Sequence, residues 1–327
     1  MASIRDVAKK ANVAACTVSR VLNNSGYVAP ETRRKIEQAM EELNYIPNEL
    51  ARSMFRQKVG IIAMLVPNIL HPFFSTLASD IEKELYQKGY KLMLCSTGDD
   101  VNRERDYMET LKSNIVDGVI LGVNNLDLKE YNDFNKPLIM LDYVVSSKIP
   151  VVTSNHKLGG ELAARKFIDS GCKNVVHICG KQTREVLSYQ CHIALEKMLH
   201  ERSVSSKSIE IDWNDFDFEG YLNLAKEILI ENPEIDGVFG ADMAAAAFLK
   251  AAIQLGKQIP KEFCVVAYDG TYTTNSNILS ITTVVQQVNL IANRAVENII
   301  GLIEESKLVE PYSEIDVFLR EGDTTLS

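Results

Sequence analysis

The sequence predicts an α/β protein in three parts: a short all-helical module at the N-terminus, followed by two doubly wound lobes. Three observations carry this. Residues 4 to 43 place apolar side chains at helical spacing with no strand-like run among them. From Val59 onward, short apolar runs alternate with amphipathic stretches, the punctuation of repeated βαβ units. At 327 residues the chain is too long for one ordinary core and fits a small module plus two larger bodies.

The first helix is announced by Ser3 and Asp6 in capping-box spacing, with Ile4, Val7, Ala8 and Ala11 on one apolar face. After an Asn12-Val13 turn, Val18, Val21 and Leu22 form a second buried stripe. That leaves Ala15, Cys16, Thr17, Ser19, Arg20 and Asn23 pointing outward. Pro30 suits the first turn of a third helix, whose buried face is Ile36, Ala39, Met40 and Leu43 before Asn44 ends it. Two short helices around a tight turn, the second polar on its outer side, read as a helix-turn-helix. Any small three-helix module satisfies the same pattern. In the helix-turn-helix reading the second helix enters the major groove of double-stranded DNA. Ala15 and Cys16 then lie over base edges and Arg20 forks onto a guanine. Ser19, Asn23 and Thr32 meet phosphates, with Thr17 and Tyr27 on the same contact surface.

In the remainder, apolar runs at Val59 to Pro67, Lys91 to Cys95, Gly118 to Leu121, Leu138 to Leu141 and Val151 to Thr153 are separated by helical stretches such as Ser75 to Lys88 and Val101 to Asn114. A second series follows at Val175 to Cys179, Gly237 to Phe239 and Cys264 to Ala267. Two series imply two doubly wound lobes, which bind small molecules outside the carboxyl ends of their strands.

Charge is divided unevenly. Residues 1 to 58 hold ten Lys or Arg against six Asp or Glu, whereas the rest holds 25 against 38, within an overall balance of -9. A basic module on an acidic body suits phosphate contact through the module alone. No apolar run approaches the roughly 20 residues a membrane helix needs, and the N-terminus starts with a capped polar helix, so a cytoplasmic protein without membrane contact is expected. The six cysteines show no C-x-x-C pair and read as free thiols in the core, Cys16 excepted.

Asp6-Val7-Ala8, Thr17-Val18-Ser19-Arg20-Val21-Leu22-Asn23 and Tyr45-Ile46-Pro47-Asn48 followed by Ala51-Arg52-Ser53 resemble the headpiece of the LacI/GalR family of bacterial repressors. The resemblance continues through Val66-Pro67-Asn68, Pro72-Phe73-Phe74, Val116-Asp117-Gly118, Gly159-Gly160, Tyr268-Asp269-Gly270-Thr271 and Thr282-Thr283-Val284, covering essentially the whole chain. Glu130-Tyr131-Asn132, Ile149-Pro150-Val151-Val152 and the Tyr-Asp-Gly-Thr run look most like the sucrose-operon repressor branch.

The resemblance implies a headpiece over residues 1–46, a hinge over 47–58, and a body of periplasmic-binding-protein type over 59–327. Lobe 1 would take about 59–156 and 288–318, lobe 2 about 157–287 and 319–327. In the hinge, Met54 takes the place of an apolar wedge in the minor groove, while Leu50 and Ala51 pack two hinge helices together. A plain tether is the simpler alternative. The resemblance also implies a homodimer on a palindromic operator, whose affinity for DNA changes when a small sugar or sugar phosphate enters the cleft. Without a heptad run after Arg320, no appended coiled coil is expected.

Strand ends and family positions together nominate His71, Phe73, Phe74, Asp142, Asn155, Trp213, Phe216 and Asp269 for that cleft. The rings offer flat apolar faces to sugar C–H groups. Asp269 leads, because a carboxylate there accepts two hydroxyl hydrogen bonds. Three positions depart from sugar-responsive members. Leu187, Gln190 and Cys191 stand where an Arg precedes a Gly-Phe pair, Ala241 stands before Asp242 in place of Asn, and Asn155 replaces Asp. These changes argue against sucrose.

The sequence holds no G-x-S-x-G, G-x-x-x-x-G-K-[ST] or H-E-x-x-H motif. Cys191 and His192, adjacent on a helix, point about 100° apart and cannot act as a nucleophile and base. His177, between two apolar strand residues, reads as core or edge. Neither catalysis nor a cofactor or metal is expected. The competing functions are a carbon catabolite regulator with a phosphorylated carrier protein as corepressor, and a transporter's sugar-binding protein.

Overall fold

The computed structural model describes residues 2–23, 25–45, 58–113, 115–181, 186–212, 217–276, 278–305 and 309–326. The chain divides into a unit ending at Gly60 and a second beginning at Ile61.

In the first unit, α1 (Ile4–Ala11), α2 (Ala15–Asn23) and α3 (Pro30–Glu42) form a three-helix module. The capping box is present: Ser3 accepts from the Asp6 amide at 3.3 Å and its own amide donates to Asp6 at 2.8 Å. Asn12, at φ 54°, ends α1 in the left-handed conformation that asparagine tolerates. Val7, Ala8, Ala11, Val18, Val21, Ile36 and Ala39 make the core, with Met40 and Leu43 packed partly on it.

The second unit holds two six-stranded sheets. The first comprises β1 (Ile61–Val66), β2 (Lys91–Ser96), β3 (Gly118–Leu121), β4 (Leu138–Leu141), β5 (Val151–Ser154) and β11 (Tyr312–Ile315), ordered β11-β5-β4-β3-β1-β2 and wholly parallel. Its helices are α4 (Pro72–Gln87), α5 (Val101–Lys112), the short α6 (Leu128–Asn132) and α11 (Val288–Glu304). The second sheet comprises β6 (Asn174–Gly180), β7 (Ser205–Ile211), β8 (Gly237–Ala241), β9 (Cys264–Asp269), β10 (Thr282–Val285) and β12 (Phe318–Arg320), ordered β12-β10-β9-β8-β6-β7. Only the β10–β12 pair is antiparallel. Around it stand α7 (His156–Asp169), α8 (Gln190–Glu201), α9 (Phe218–Glu231) and α10 (Asp242–Gln254). The chain thus passes between lobes after Ser154, after Val285 and between Ile315 and Phe318.

Several elements differ from expectation. The helix expected from Ser75 starts at Pro72, because proline fits the first turn and the His71 imidazole accepts the Phe73 amide at 3.3 Å. Phe73 and Phe74 therefore sit in the first turn of α4. β7 escaped notice since Ser-Ser-Lys-Ser-Ile-Glu-Ile is a half-exposed edge strand without an apolar run. His177 lies on interior strand β6, fully buried, so the edge alternative is excluded. Among the described residues no helix is long and apolar enough to cross a membrane. All six thiols are free, and Cys16 alone is exposed.

Candidate functional site

On the headpiece, α2 leaves Cys16 and Arg20 exposed, while Thr17, Ser19 and Asn23 are half-buried. The Asn23 amide donates to Ser19 Oγ at 3.2 Å, fixing two polar groups one turn apart. Tyr27 is 86% exposed, an unusual setting for a large ring, and Thr32 is half-buried near the start of α3. Ala15 corrects the expectation that it stands clear: its methyl packs against the headpiece core. The reason is its place in the first turn of α2, three positions before the buried Val18 and on the same side of the helix. Leu50, Ala51 and Met54 lie outside the described residues.

The body carries a cavity of about 180 Å³ at the carboxyl ends of both sheets. Lobe 1 supplies Pro67 after β1, His71, Phe73 and Phe74 from the start of α4, and Asp142 and Tyr143 after β4. Lobe 2 supplies Cys179, Tyr189, Cys191, His192, Tyr268 and Asp269. The Phe73 and Phe74 rings meet edge to face at 5.3 Å, and His71 tilts against Phe74 at 5.6 Å. Gln286, at the second passage between lobes, completes the floor.

Two hydrogen-bonded chains tie the lobes together there. In the first, Asp142 accepts from Thr153 Oγ1 at 2.6 Å and from His156 Nε2 at 2.9 Å, and His156 Nδ1 lies 2.6 Å from the Tyr268 hydroxyl. Burial works against charge on Asp142, but His156 and Thr153 outweigh it and hold its carboxyl below the usual range. In the second, Ser154 Oγ donates to Gln286 Oε1 at 2.7 Å and Gln286 Nε2 donates to Asp269 Oδ1 at 2.8 Å. Asp269 is 7% exposed and sits at φ 121°, a strained backbone for any side chain but glycine. Burial, then the nearby Asp242 carboxyl, pushes its pKa well above the carboxylate range. One of its oxygens, Oδ1, is already taken by the Gln286 amide, so the second oxygen is the one left to meet a hydroxyl, and burial there disfavours the charged form.

His71 is buried, not solvated, and burial pushes its pKa down to about 4. The unfolded chain takes up a proton near pH 6.5 that the folded chain refuses until about pH 4, so this residue withdraws stability as pH falls through that window. The loss totals about 3 kcal/mol. His71→Asn keeps the helix cap and removes the titration. Denaturant unfolding between pH 7 and 4 should show the wild type losing that much more than the variant, and parallel curves would refute it.

Asn155 is not brought to the cavity. Its side chain accepts the Leu158 amide at 3.0 Å as the cap of α7 and donates to Asp316 at 3.0 Å, because the chain leaves β5 there for the other lobe. Of the residues replacing the expected arginine clamp, only Cys191 lines the cavity. Leu187 instead packs on the lobe 1 core, and its amide donates to the Asp142 carbonyl at 2.9 Å. Trp213 and Phe216 lie outside the described residues. Missed from sequence were Tyr143, Tyr189, His192, Tyr268 and Gln286; of these, only Gln286 carried the signal of directly following a strand.

Among described residues the lining contains no lysine or arginine, and no group of three His, Cys, Asp or Glu could hold a metal ion. Aromatic faces beside carboxyl, imidazole and amide groups can clamp a small polyol: rings against C–H faces, polar groups against hydroxyls.

Comparison with known proteins agrees with both halves. The family described as bacterial regulatory proteins, lacI family, matches residues 3–48, and periplasmic binding proteins and sugar binding domain of LacI family matches residues 59–318. A ribose operon repressor of Halalkalibacterium halodurans is 36% identical over 99% of this chain and 97% of its own. A sucrose operon repressor of Streptococcus mutans is 33% identical over 95% and 96%. A periplasmic binding protein/LacI transcriptional regulator from Alkaliphilus metalliredigens, solved with D-xylulofuranose, has a TM-score of 0.75 at 28% identity, covering 82% of this chain and 100% of that one. With family matches over both units and a full-length relative above 30% identity, the chain belongs to the LacI family of bacterial transcriptional regulators.

Proposed function

We propose that this regulator acts in the cytoplasm as a homodimeric repressor of a carbohydrate-use operon, with operator affinity set by an unphosphorylated monosaccharide in the cavity between its lobes. The observation that carries the effector half is the cavity. Its volume of about 180 Å³ falls below the roughly 300 Å³ at which drug-sized sites begin. A single sugar ring suits it better than a disaccharide. The described lining carries the Asp142 carboxylate and no lysine or arginine, which favours an uncharged sugar over a sugar phosphate. The ribose operon repressor and the D-xylulofuranose complex among the similar proteins support a pentose. The role is binding, with no catalytic step assigned.

A thermal-shift screen of mono- and disaccharides and their phosphates tests this. D-ribose or another free monosaccharide should raise Tm and shift operator titrations, whereas phosphorylated forms should do neither. A body that ignores every free sugar but binds a phosphorylated carrier protein would support catabolite control instead.

For the DNA half, we propose Cys16 and Arg20 as base contacts, with Ser19, Asn23, Tyr27 and Thr32 toward the backbone. Arg20→Ala should cost about 1–3 kcal/mol per head and relax preference at one base position, read by selection from random duplexes. Cys16→Gln should change the selected sequence. An unaltered preference in that variant would remove position 16 from the contact set.

A further inference from the structure

His192 and Glu196 lie four residues apart on one face of α8, and His177 of β6 sits between them. His177, completely buried, has Nε2 2.9 Å from Glu196 Oε1 and Nδ1 3.1 Å from His192 Nδ1. The imidazole centroids are 5.1 Å apart with planes within 24°, so the nitrogens meet nearly in plane. His192 lines the cavity, flanked by the rings of Tyr189 and Phe239. Its Nε2 has no hydrogen-bond partner among the described residues.

With both rings kept neutral by burial, these contacts decide where the protons are. A carboxylate only accepts, so His177 Nε2 must carry hydrogen to donate to Glu196. A neutral imidazole has one N–H, which leaves His177 Nδ1 as a lone pair. His192 Nδ1 must then donate to it, and His192 Nε2 is left as a lone pair. Burial favours the neutral form of both rings, pushing His192 down to about 3.

We propose that the Glu196–His177 pair fixes His192 as a hydrogen-bond acceptor toward the cavity, so that the effector must present a hydroxyl donor at that point. The assignment rests on the effector reading above and makes it more specific: a fluorine in place of that hydroxyl, close to it in size but unable to donate, is rejected. His192 is thus a specificity-determining residue, and His177 and Glu196 position it.

Two experiments on the full chain test the proposal. Nitrogen-15 NMR of the labelled histidine rings, needing no ligand, should show His192 protonated on Nδ1 and bare on Nε2 in wild type, and a mixture of tautomers in Glu196→Ala. Calorimetric titration with D-ribose and its singly deoxyfluorinated analogues should show one hydroxyl whose replacement weakens wild-type binding about tenfold or more, the size expected for a lost partner to a buried polar atom. In His192→Phe, D-ribose should bind about tenfold or more weakly and that fluorine should make no further difference. His192→Gln, which keeps an acceptor, should recover most of the affinity. A His192 protonated on Nε2, or a His192→Phe protein that binds D-ribose as wild type does, overturns the proposal. Failure of wild type to bind any sugar defeats the effector reading instead, and the wild-type spectrum still decides the tautomer.

Discussion

Gly160→Ala should destabilise the body by about 3 kcal/mol, lowering Tm by about 10 °C for a body of this size. A methyl built on Gly160 would lie 2.0 Å from the Cys191 carbonyl oxygen and 2.8 Å from its carbon. Both are backbone atoms and cannot swing aside, so α7 and α8 must separate. Helix propensity points the other way, favouring alanine over glycine by about 1 kcal/mol. The steric cost exceeds that gain, and the sign of the change is therefore diagnostic. Because α8 carries Cys191 and His192, the same substitution should weaken sugar binding even in the folded fraction. Calorimetric melting of wild type and variant measures the first effect, and a variant with equal or higher Tm would show that the two helices are not in this contact.

His156→Phe should remove about 3 kcal/mol and blunt the link between effector and operator. Phenylalanine fills the space of the imidazole, 3% exposed, but leaves the Tyr268 hydroxyl without its nitrogen partner and deprives Asp142 of one of two side-chain donors. Each orphaned group costs about 1–3 kcal/mol. Asp142 belongs to lobe 1, while His156 and Tyr268 belong to lobe 2, so this chain couples the cavity wall to the relative position of the lobes. The expected result is a shallower dependence of operator affinity on sugar concentration, with headpiece binding in the absence of sugar retained. A variant whose melting and whose sugar response both match wild type would show that the chain is incidental.

The headpiece was largely legible in the sequence because its information is local: a cap three residues from its partner, apolar positions one turn apart, a proline at a helix start. Strands β1, β3, β4 and β9 were legible for a related reason, since strands buried on both faces are written as unbroken apolar runs. β7 and β12 were not, being edge strands whose side chains alternate or lie in solvent. At the cavity, sequence located the strand ends and hence Asp142, Asp269 and the phenylalanines, but it could not weigh their surroundings. Whether Asp269 is a carboxylate depends on burial and on Asp242, 27 positions away in the chain. The partners of His156, His177 and His192 arrive from other elements, Tyr268 from 112 residues further on, so local spacing could not reveal them. Asn155 was misplaced for the opposite reason: a residue following a strand normally faces the cleft, but here the chain departs for the other lobe and uses it as a cap.

The register of β11 against β5, Tyr312 opposite Val151, bears on how the protein is made. During synthesis at about 5–20 residues per second, β5 emerges from the ribosome about 10–30 s before the strand that shields its edge. The helix that covers much of the same sheet, α11, arrives only shortly before. For that interval the nascent chain carries an open sheet rim and an apolar slab, both adhesive toward other chains. Transcripts truncated between codons 155 and 312, with β5 made and its partner strand missing, should yield aggregates, not a smaller working repressor.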